Sequence, residues 1–291
     1  MPVNDYMLVE GKAVGIVRGF KSQGFYTVDD FNYTNGQYVL KDGVADFDRS
    51  ISANYMNPFS LPQGQSAFPG AAKFEDVDGD GRVTLDDATE LGEVMPHHTG
   101  GFSLNLQYKN WDASANFNYV LDGKIYNANA MMNLSGGEYN DLTAQKLAFV
   151  ADAYKIYNVN SSGELYAVTD PTELNTLNAG AKYAVPYHQN GIVTDEFLES
   201  GAYLRLQTLT IGYTLPKTLL KKMSISNLRV YLTASNLFTI TGYSGVDPEV
   251  NASTTGRTGF LESVKVLPTL NMDWGAYPRA RTFTFGANIS F

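Results

Sequence analysis

The sequence contains no cysteine among its 291 residues, which excludes disulfides, thiolate nucleophiles and thiolate metal sites. Three histidines leave little material for a zinc centre or an imidazole base. The 21 basic and 30 acidic residues give a formal net charge of -9, so the chain lacks the basic surface that binds nucleic acid. No apolar run approaches the ~20 residues of a membrane-spanning helix. The residues after Met1 also lack the features of a signal peptide.

Charged residues are scarce as well, at 18% against about 25% in typical soluble domains. In their place the chain has 13% aromatic residues, with 19 Tyr and 16 Phe, and 27 Gly. This composition favours β-structure with many turns. It also indicates surfaces that face something other than water, which an ordinary soluble enzyme does not need.

Strict alternation of apolar and polar residues is the clearest pattern in the chain and predicts β-strands. In residues 281–291 the apolar positions hold Phe, Ala and Ile, and the polar ones hold Thr, Gly, Asn and Ser. Residues 228–240 alternate in a similar way. Two further alternating segments meet at Lys109-Asn110, which predicts a tight hairpin over residues 100–121.

Apolar residues change phase within the segment 203–215. Leu206 belongs to one alternating run and Leu209 to the next. The two residues are an odd number of positions apart, so the two runs are out of phase. One inserted residue shifts the phase of a strand in this way. The sequence therefore predicts a β-bulge near Gln207-Thr208.

Connections between the predicted strands alternate between short and long. Lys109-Asn110 is short, whereas residues 122–202 and 241–280 form long connections. The first long connection is predicted to contain a helix, because four of its apolar residues follow helical spacing. These residues are Leu147, Val150, Ala151 and Tyr154.

Alternating strands occur in soluble β-sandwiches, whose apolar face is a core, and in membrane barrels, whose apolar face meets lipid. The predicted strands approach the ~9–11 residues of a membrane strand, whereas globular strands average about 5–6. Their polar face carries Thr, Ser, Asn and Gln, where a soluble surface is richer in Lys and Glu. Tyr108, Trp111 and Phe291 end strands on the apolar side, as in an interfacial aromatic girdle. These features favour the membrane barrel.

The predicted strands are too few to close a barrel, since transmembrane barrels begin at about eight strands. An open sheet edge in lipid costs several kcal/mol for each unsatisfied backbone group. We therefore expect an all-β fold, an antiparallel transmembrane β-barrel segment that is the C-terminal part of something larger.

Five stretches, in this order, resemble the C-terminal region of SusC/RagA-type TonB-linked outer-membrane transporters. They are Val9–Gly24 with its Glu-Gly and Gly-Phe-Lys-Ser-Gln-Gly motifs, the acidic Phe74–Val83, Gly201–Pro216, Leu228–Phe238 with Ala-Ser-Asn-Leu-Phe, and the ending Tyr277–Phe291. They are spread along nearly the whole chain. The resemblance implies the C-terminal strands of a barrel of about 22 strands.

The resemblance also implies TonB-dependent import of oligosaccharides or peptides across the outer membrane of a Gram-negative bacterium, without catalysis. A SusD-like surface lipoprotein is implied as a lid, and TonB is implied to act through an N-terminal plug region that these stretches do not include. The implied segments are 1–99 (strand remnant and extracellular loop with the acidic turn), 100–121 (hairpin), 122–202 (long extracellular loop), 203–240 (strand pair), 241–280 (extracellular loop) and 281–291 (terminal strand).

The acidic turn follows the spacing of a calcium-binding loop, with carboxylates at alternating positions and a glycine that permits the sharp turn. The candidate ligands are Asp76, Asp78, Asp80, Arg82 through its carbonyl, Thr84 and Asp87. The last position is Asp rather than the longer Glu of the usual loop. A solvated acidic turn accounts for the same pattern.

The terminal strand carries a candidate assembly signal. A terminal aromatic on an alternating strand resembles the signal read by the outer-membrane barrel-assembly machinery. The residues concerned are Phe283, Phe285, Ile289 and Phe291.

Two polar motifs precede or follow predicted strands. His97-His98 are expected to point in opposite directions if extended, which disfavours joint metal binding. Asp247-Pro248-Glu249 begin a long loop. They fit contact with substrate or lid, and loop structure alone explains them equally well.

Two other classes of function remain open at this point. One is a secreted, calcium-binding, β-rich protein for carbohydrate binding or adhesion. The other is a soluble glycan-active enzyme, although the sequence shows no nucleophile elbow, phosphate loop or paired catalytic carboxylates. No substrate-binding residue can be assigned from the pattern.

Overall fold

The computed structural model describes residues 6–7, 9–49, 51, 57–135, 146–186, 193–221, 224–250 and 271–291, so parts of both predicted long loops lie outside the described residues. In chain order the strands are β1 (Tyr6–Met7), β2 (Ile16–Gly19), β3 (Ser22–Phe25), β4 (Phe31–Thr34), β5 (Gln37–Leu40), β6 (Asp46–Phe47), β7 (Ala72–Phe74), β8 (Arg82–Val83), β9 (Thr89–Glu93), β10 (Thr99–Tyr108), β11 (Trp111–Val120), β12 (Lys124–Tyr126), β13 (Tyr157–Val159), β14 (Leu165–Ala167), β15 (Leu198–Ser200), β16 (Tyr203–Thr214), β17 (Asn227–Thr241) and β18 (Thr282–Ser290). The α-helices are α1 (Ala128–Ser135), α2 (Pro171–Leu177) and α3 (Lys217–Leu220). In the described part of the chain, no helix is long and apolar enough to cross a membrane.

The chain divides into two compact units. The core unit comprises Met1–Glu93 and Tyr126–Leu198, and the sheet unit comprises Val94–Ile125 and Glu199–Phe291. The core unit contains the three-stranded sheet β1-β2-β9 and the two-stranded pairs β3-β7, β4-β5, β6-β8 and β13-β14. All of these pairings are antiparallel except β6-β8, which is parallel.

Aromatic rings fill the interior of the core unit. The Tyr26 and Tyr38 side chains are buried, and their hydroxyls donate to the carbonyls of Ala45 at 2.6 Å and Thr169 at 2.8 Å. Burial raises the pKa of both hydroxyls above its usual value, so they remain neutral donors. The other large members of the core are Phe20, Phe31, Phe47, Ile51, Phe59, Phe68, Phe74, Tyr154, Ile156 and Leu174.

The long connection 122–202 contains helices, as predicted, but they are α1 and α2 and do not lie at residues 147–154, whose spacing suggested one. Ala148–Asp152 form a short 3-10 helix, and the residues on both sides of it are extended. Ala153 forms a bridge with Tyr183, and the Tyr154 N–H donates to the Tyr183 carbonyl at 2.9 Å. Because the backbone pairs there with another segment, the helix does not continue through the remaining apolar positions.

The sheet unit is built on one antiparallel sheet in the order β10-β11-β16-β17-β18. Its strands have 9 to 15 residues, longer than the ~5–6 of globular strands. The hairpin turns at Lys109-Asn110, with Tyr108 paired to Trp111. Phe291 lies just beyond the end of β18. The predicted all-β, antiparallel fold is confirmed.

The predicted bulge lies at Gln207 in β16. This residue has no partner on β11, where the register shifts between Asn116 and Phe117. The register shifts at the same place against β17. The extra residue brings Leu206 and Leu209 to the same face despite their odd spacing, as a bulge does.

Candidate functional site

Apolar residues of neighbouring strands align in rows across one side of the five-stranded sheet, which we call the apolar face. One row consists of Leu106, Ala113, Ile211, Leu232 and Phe285. The next row consists of Leu104, Ala115, Leu209, Ala234 and Phe283. A slip of one residue would reverse the two sides of any strand, so this register is what keeps the rows apolar.

The apolar face is exposed. Phe285 is 76% exposed, Leu106 71% and Phe283 63%. Tyr108 and Trp111, at the short-turn end of the sheet, are also exposed. Soluble monomers rarely expose a contiguous apolar face of this kind. In a β-sandwich these side chains would interdigitate with a second sheet, and among the described residues none covers them.

The opposite side of the sheet, the polar face, is built largely from neutral hydrogen-bonding groups. The Ser103 hydroxyl donates to the Asn116 amide oxygen at 2.7 Å. The Thr210 and Thr233 hydroxyls on neighbouring strands are 2.9 Å apart. These neutral groups form hydrogen bonds with one another across strands, and few side chains on this face are charged. A polar lining of this kind is typical of a barrel interior.

One ion pair crosses the polar face near the short-turn end. The Arg229 guanidinium passes over Gly212 and donates to Asp112, with Nε 2.9 Å from Oδ1. A Cβ at Gly212 would lie 2.4 Å from the Arg229 guanidinium. A Cβ at Gly286 would lie equally close to the Tyr231 ring. The two glycines therefore make room for large polar-face side chains.

A buried charged cluster lies at the other end of this face. Arg205 donates to Thr239 Oγ1 at 3.0 Å, to Asp247 Oδ1 at 2.5 Å and to Glu249 Oε2 at 2.9 Å. The second oxygen of Glu249 accepts from Arg279 at 2.7 Å. Burial raises the pKa of Asp247, but the Glu249 N–H and the Arg205 guanidinium outweigh it, so this pKa lies below its usual value. Both carboxylates of Asp247-Pro248-Glu249 are thus engaged within the fold.

The acidic turn brings together three of its six predicted ligands. Asp76, Asp78 and Asp80 each present a carboxylate oxygen within 4.8 Å of the others, the one group of this kind in the described part of the chain. The Asp80 N–H bond lowers the pKa of Asp78, but desolvation and the surrounding carboxylates of Asp80, Asp87 and Asp76 outweigh it, so this pKa is raised. Crowded carboxylates with a raised pKa favour a cation among them.

The other three predicted ligands lie elsewhere in the same turn. Asp87 is buried, and its carboxylate accepts from the N–H groups of Val77 and Thr84, both at 2.7 Å. Burial raises the pKa of Asp87, but these backbone hydrogen bonds outweigh it and hold the pKa below its usual value. Thr84 Oγ1 accepts from the Asp86 N–H. Arg82 pairs with Asp48 through its guanidinium.

His97 and His98 were expected to point apart only if extended, and they lie outside the strands before β10, with His97 in a bend. His98 Nδ1 is 2.7 Å and His97 Nδ1 3.6 Å from the same oxygen of Asp122. Hydrogen bonds from the His98 ring and from both backbone N–H groups lower the pKa of Asp122 to about 2.

The residues of the candidate assembly signal share the apolar face of a single strand. Phe283, Phe285 and Ile289 lie on β18 and are exposed, and Phe291 beyond it is 90% exposed. In the described chain β18 pairs with β17 alone, so it is an edge strand of this sheet.

Sequence comparisons find two informative relatives. The chain is 28% identical over 285 residues to TonB-dependent receptor P3 of Formosa agariphila, covering 98% of this chain and 23% of that protein. It is 24% identical over 242 residues to TonB-dependent receptor SusC of Bacteroides thetaiotaomicron, covering 82% of this chain and 20% of that protein. No protein-family model matches. The chain thus spans about a quarter or less of the length of these relatives.

Solved structures give the same result for the fold. The RagAB peptide importer in its closed-closed state matches all of this chain with a TM-score of 0.57 and 21% identity, over 25% of the matched chain. In the open-open state the TM-score is 0.53, with 21% identity over 24% of that chain. The predicted resemblance to SusC/RagA-type TonB-dependent receptors is confirmed, and the chain has the fold of part of the RagA barrel.

Proposed function

We propose that the sheet unit forms part of the outer-membrane barrel wall of a SusC-like, TonB-dependent importer in a Gram-negative bacterium. The exposed apolar face carries this proposal. Its side chains are aligned in rows by the strand register, and large ones such as Phe285, Leu106 and Phe283 are exposed. Acyl chains are the medium in which such a face is stable, because lipid removes it from water without a second protein layer.

In this proposal the polar face borders the solute route and the chain has no catalytic role. The neutral hydroxyl and amide groups of that face suit a water-filled or plug-filled interior. The short turn at Lys109-Asn110 lies on the periplasmic side, and the long connections are extracellular. There they would meet a SusD-like lipoprotein, while TonB would act through the plug region. The description of RagAB as a peptide importer supports a peptide as the imported solute, and an oligosaccharide is the alternative that the SusC-type resemblance implies.

Fractionation of cells that produce the full-length protein tests the proposal. We expect the protein in the outer-membrane fraction, released only by detergent, and a strain lacking it should lose uptake of its oligosaccharide or peptide. A protein recovered in the culture supernatant would instead favour the secreted, calcium-binding, β-rich class. A freely soluble, compact protein would contradict the barrel assignment outright.

We also propose that the acidic turn binds Ca²⁺ through Asp76, Asp78 and Asp80. The support is the convergence of three carboxylates within 4.8 Å, with hard oxygen donors of the kind that Ca²⁺ prefers. Calorimetric titration of the purified protein with Ca²⁺ should give heat that the Asp78→Asn variant lacks. Asp86→Asn, an exposed neighbour, is the matched control. No heat with the unchanged protein would refute the site.

Phe291 is proposed as part of the signal for the barrel-assembly machinery, with Phe283, Phe285 and Ile289. The support is an exposed apolar row on a strand that pairs with β17 alone among the described residues. Deleting Phe291 from the full-length protein should lower the amount inserted in the outer membrane. Replacing Phe291 by Tyr keeps the aromatic end and should preserve insertion. Equal yields for the deletion and the unchanged protein would contradict the proposal.

A further inference from the structure

Arg205 is one of the largest fully buried side chains in the described chain, although it is charged. Arginine is almost never fully buried unless it is paired. Its Nε donates to Thr239 on the neighbouring strand, and its two terminal nitrogens donate to Asp247 and Glu249. Because both carboxylates belong to the loop after β17, this side chain joins the sheet to a loop.

The loop that Arg205 contacts returns over the polar face. We call Tyr243–Val250 the return segment, since it follows the end of β17 at Thr241. Asp247 is 6% exposed and Arg205 2%, so the segment covers the guanidinium. Asn118 pairs with Arg205 across β11 and β16, and its amide oxygen is buried as well. The return segment therefore covers this row of the polar face at Arg205.

The return segment also has an apolar anchor that does not involve charge. Tyr243 and Val250 cluster with Ile125, and the Tyr243 hydroxyl donates to Asp273 at 2.6 Å. The apolar anchor holds the two ends of the segment. The middle of the segment buries a carboxylate, which is stable only with a charged or hydrogen-bonding partner. Arg205 supplies that partner from the sheet.

We propose that Arg205 is a positioning residue that clamps the return segment onto the polar face, so that this segment forms the inner wall of the solute path at the long-loop end of the sheet. The solute path itself rests on the proposed function. A planar guanidinium reaches Thr239, Asp247 and Glu249 together, which a lysine ammonium at the same position does not.

Site-specific labelling tests the clamp in the full-length protein. Cysteine at Pro248 reports on the middle of the return segment, because this buried residue lies between the two carboxylates that Arg205 contacts and should react slowly with a membrane-impermeant maleimide. Cysteine at Asn118 reports on the polar face beside Arg205, and cysteine at Ser114 on the same strand is its control. Protein without an introduced cysteine measures any background reaction.

Variants at Arg205 separate release of the return segment from loss of folding. Arg205→Gln leaves a buried carboxylate unpaired, so it risks misfolding. Arg205→Gln combined with Asp247→Asn leaves no such charge. Arg229→Gln, which removes the other polar-face arginine paired to a carboxylate, is the matched control. Arg205→Lys should fall between the unchanged protein and the double variant.

In detergent, we expect the double variant to label at positions 248 and 118 about tenfold faster, because local opening becomes more populated. Labelling at position 114, and labelling in the Arg229→Gln variant, should stay unchanged. Unchanged rates at 248 and 118 in a folded double variant would overturn the clamp. Rapid labelling in detergent with none on intact cells would support the clamp and overturn the extracellular placement that belongs to the proposed function.

Discussion

The core unit and the sheet unit use similar apolar residues in opposite ways. In the core unit Phe47 is 2% exposed and lies within a cluster of aromatic rings. In the sheet unit Phe285 is 76% exposed on a face that nothing in the described chain covers. The first unit buries its apolar side chains by its own packing, as a protein in water does. In the proposed barrel the lipid around the second unit covers its apolar side chains, so we expect the stability of the sheet unit to depend on lipid or detergent.

Truncating one phenylalanine in each unit tests this contrast most strongly. Phe47→Ala should destabilise the core unit by about 3–5 kcal/mol, because it removes a packed ring and leaves a cavity. Phe285→Ala should have a much smaller effect, since few protein atoms surround that ring. Hydrogen exchange of the full-length protein in detergent, followed separately in the two units, measures both changes. Equal loss of protection would mean that the apolar face is packed against protein.

Placing a charge on each side of one strand tests the medium directly. Leu232→Arg should cost about 2–4 kcal/mol on transfer into a bilayer, the cost of an arginine near the lipid midplane. Thr233→Arg, the next residue on β17, points to the polar face and should be tolerated far better. Folding into lipid vesicles at a series of urea concentrations measures the difference. Equal effects of the two variants would break the assignment of the two faces.

The sheet unit could be predicted from the sequence because one physical rule governs it. Alternation with period two sets the faces and the strand length, and the phase change located the bulge at Gln207. The sequence pattern did not identify Arg205 as a site residue. The available signal was an arginine among the neutral residues of the polar face. Its partners in the loop depend on how the chain returns to the sheet, which no local pattern encodes.

The core unit could not be predicted because its strands are short and its contacts are distant in sequence. Tyr38 donates to Thr169, and no periodicity connects residues so far apart. The helical spacing around Val150 was misleading, because pairing with Tyr183 competes with the helix there. In the acidic turn the spacing indicated that Asp76, Asp78 and Asp80 lie close together, but it could not show that the carboxylate of Asp87 accepts hydrogen bonds from backbone N–H groups.

Asp87 gives a smaller, pH-dependent test within the core unit. Asp87→Asn should cost about 1–3 kcal/mol, because buried backbone N–H groups lose a charged acceptor. The pKa of Asp87 is lowered by folding, so its contribution is present above the unfolded value of about 3.9 and is lost as the pH falls through the folded pKa. Thermal unfolding at neutral pH and near pH 3 should show a difference between variant and unchanged protein that shrinks in acid. Asp86→Asn should show neither effect.

The hydroxyl pair of Thr210 and Thr233 gives the smallest test, and it concerns the polar face alone. The two hydroxyls are 2.9 Å apart on paired strands, and such a cross-strand pair contributes roughly 0.2–1 kcal/mol. In a double-mutant cycle, Thr210→Val and Thr233→Val should each destabilise the sheet slightly, and the double variant should cost less than their sum. The coupling is expected because either single change leaves the other hydroxyl without its cross-strand partner. Additive effects would mean that water already satisfies both hydroxyls, as it does along a wide aqueous interior. A measurable coupling would mean that this part of the polar face is shielded from water, which a plug packed against the wall provides.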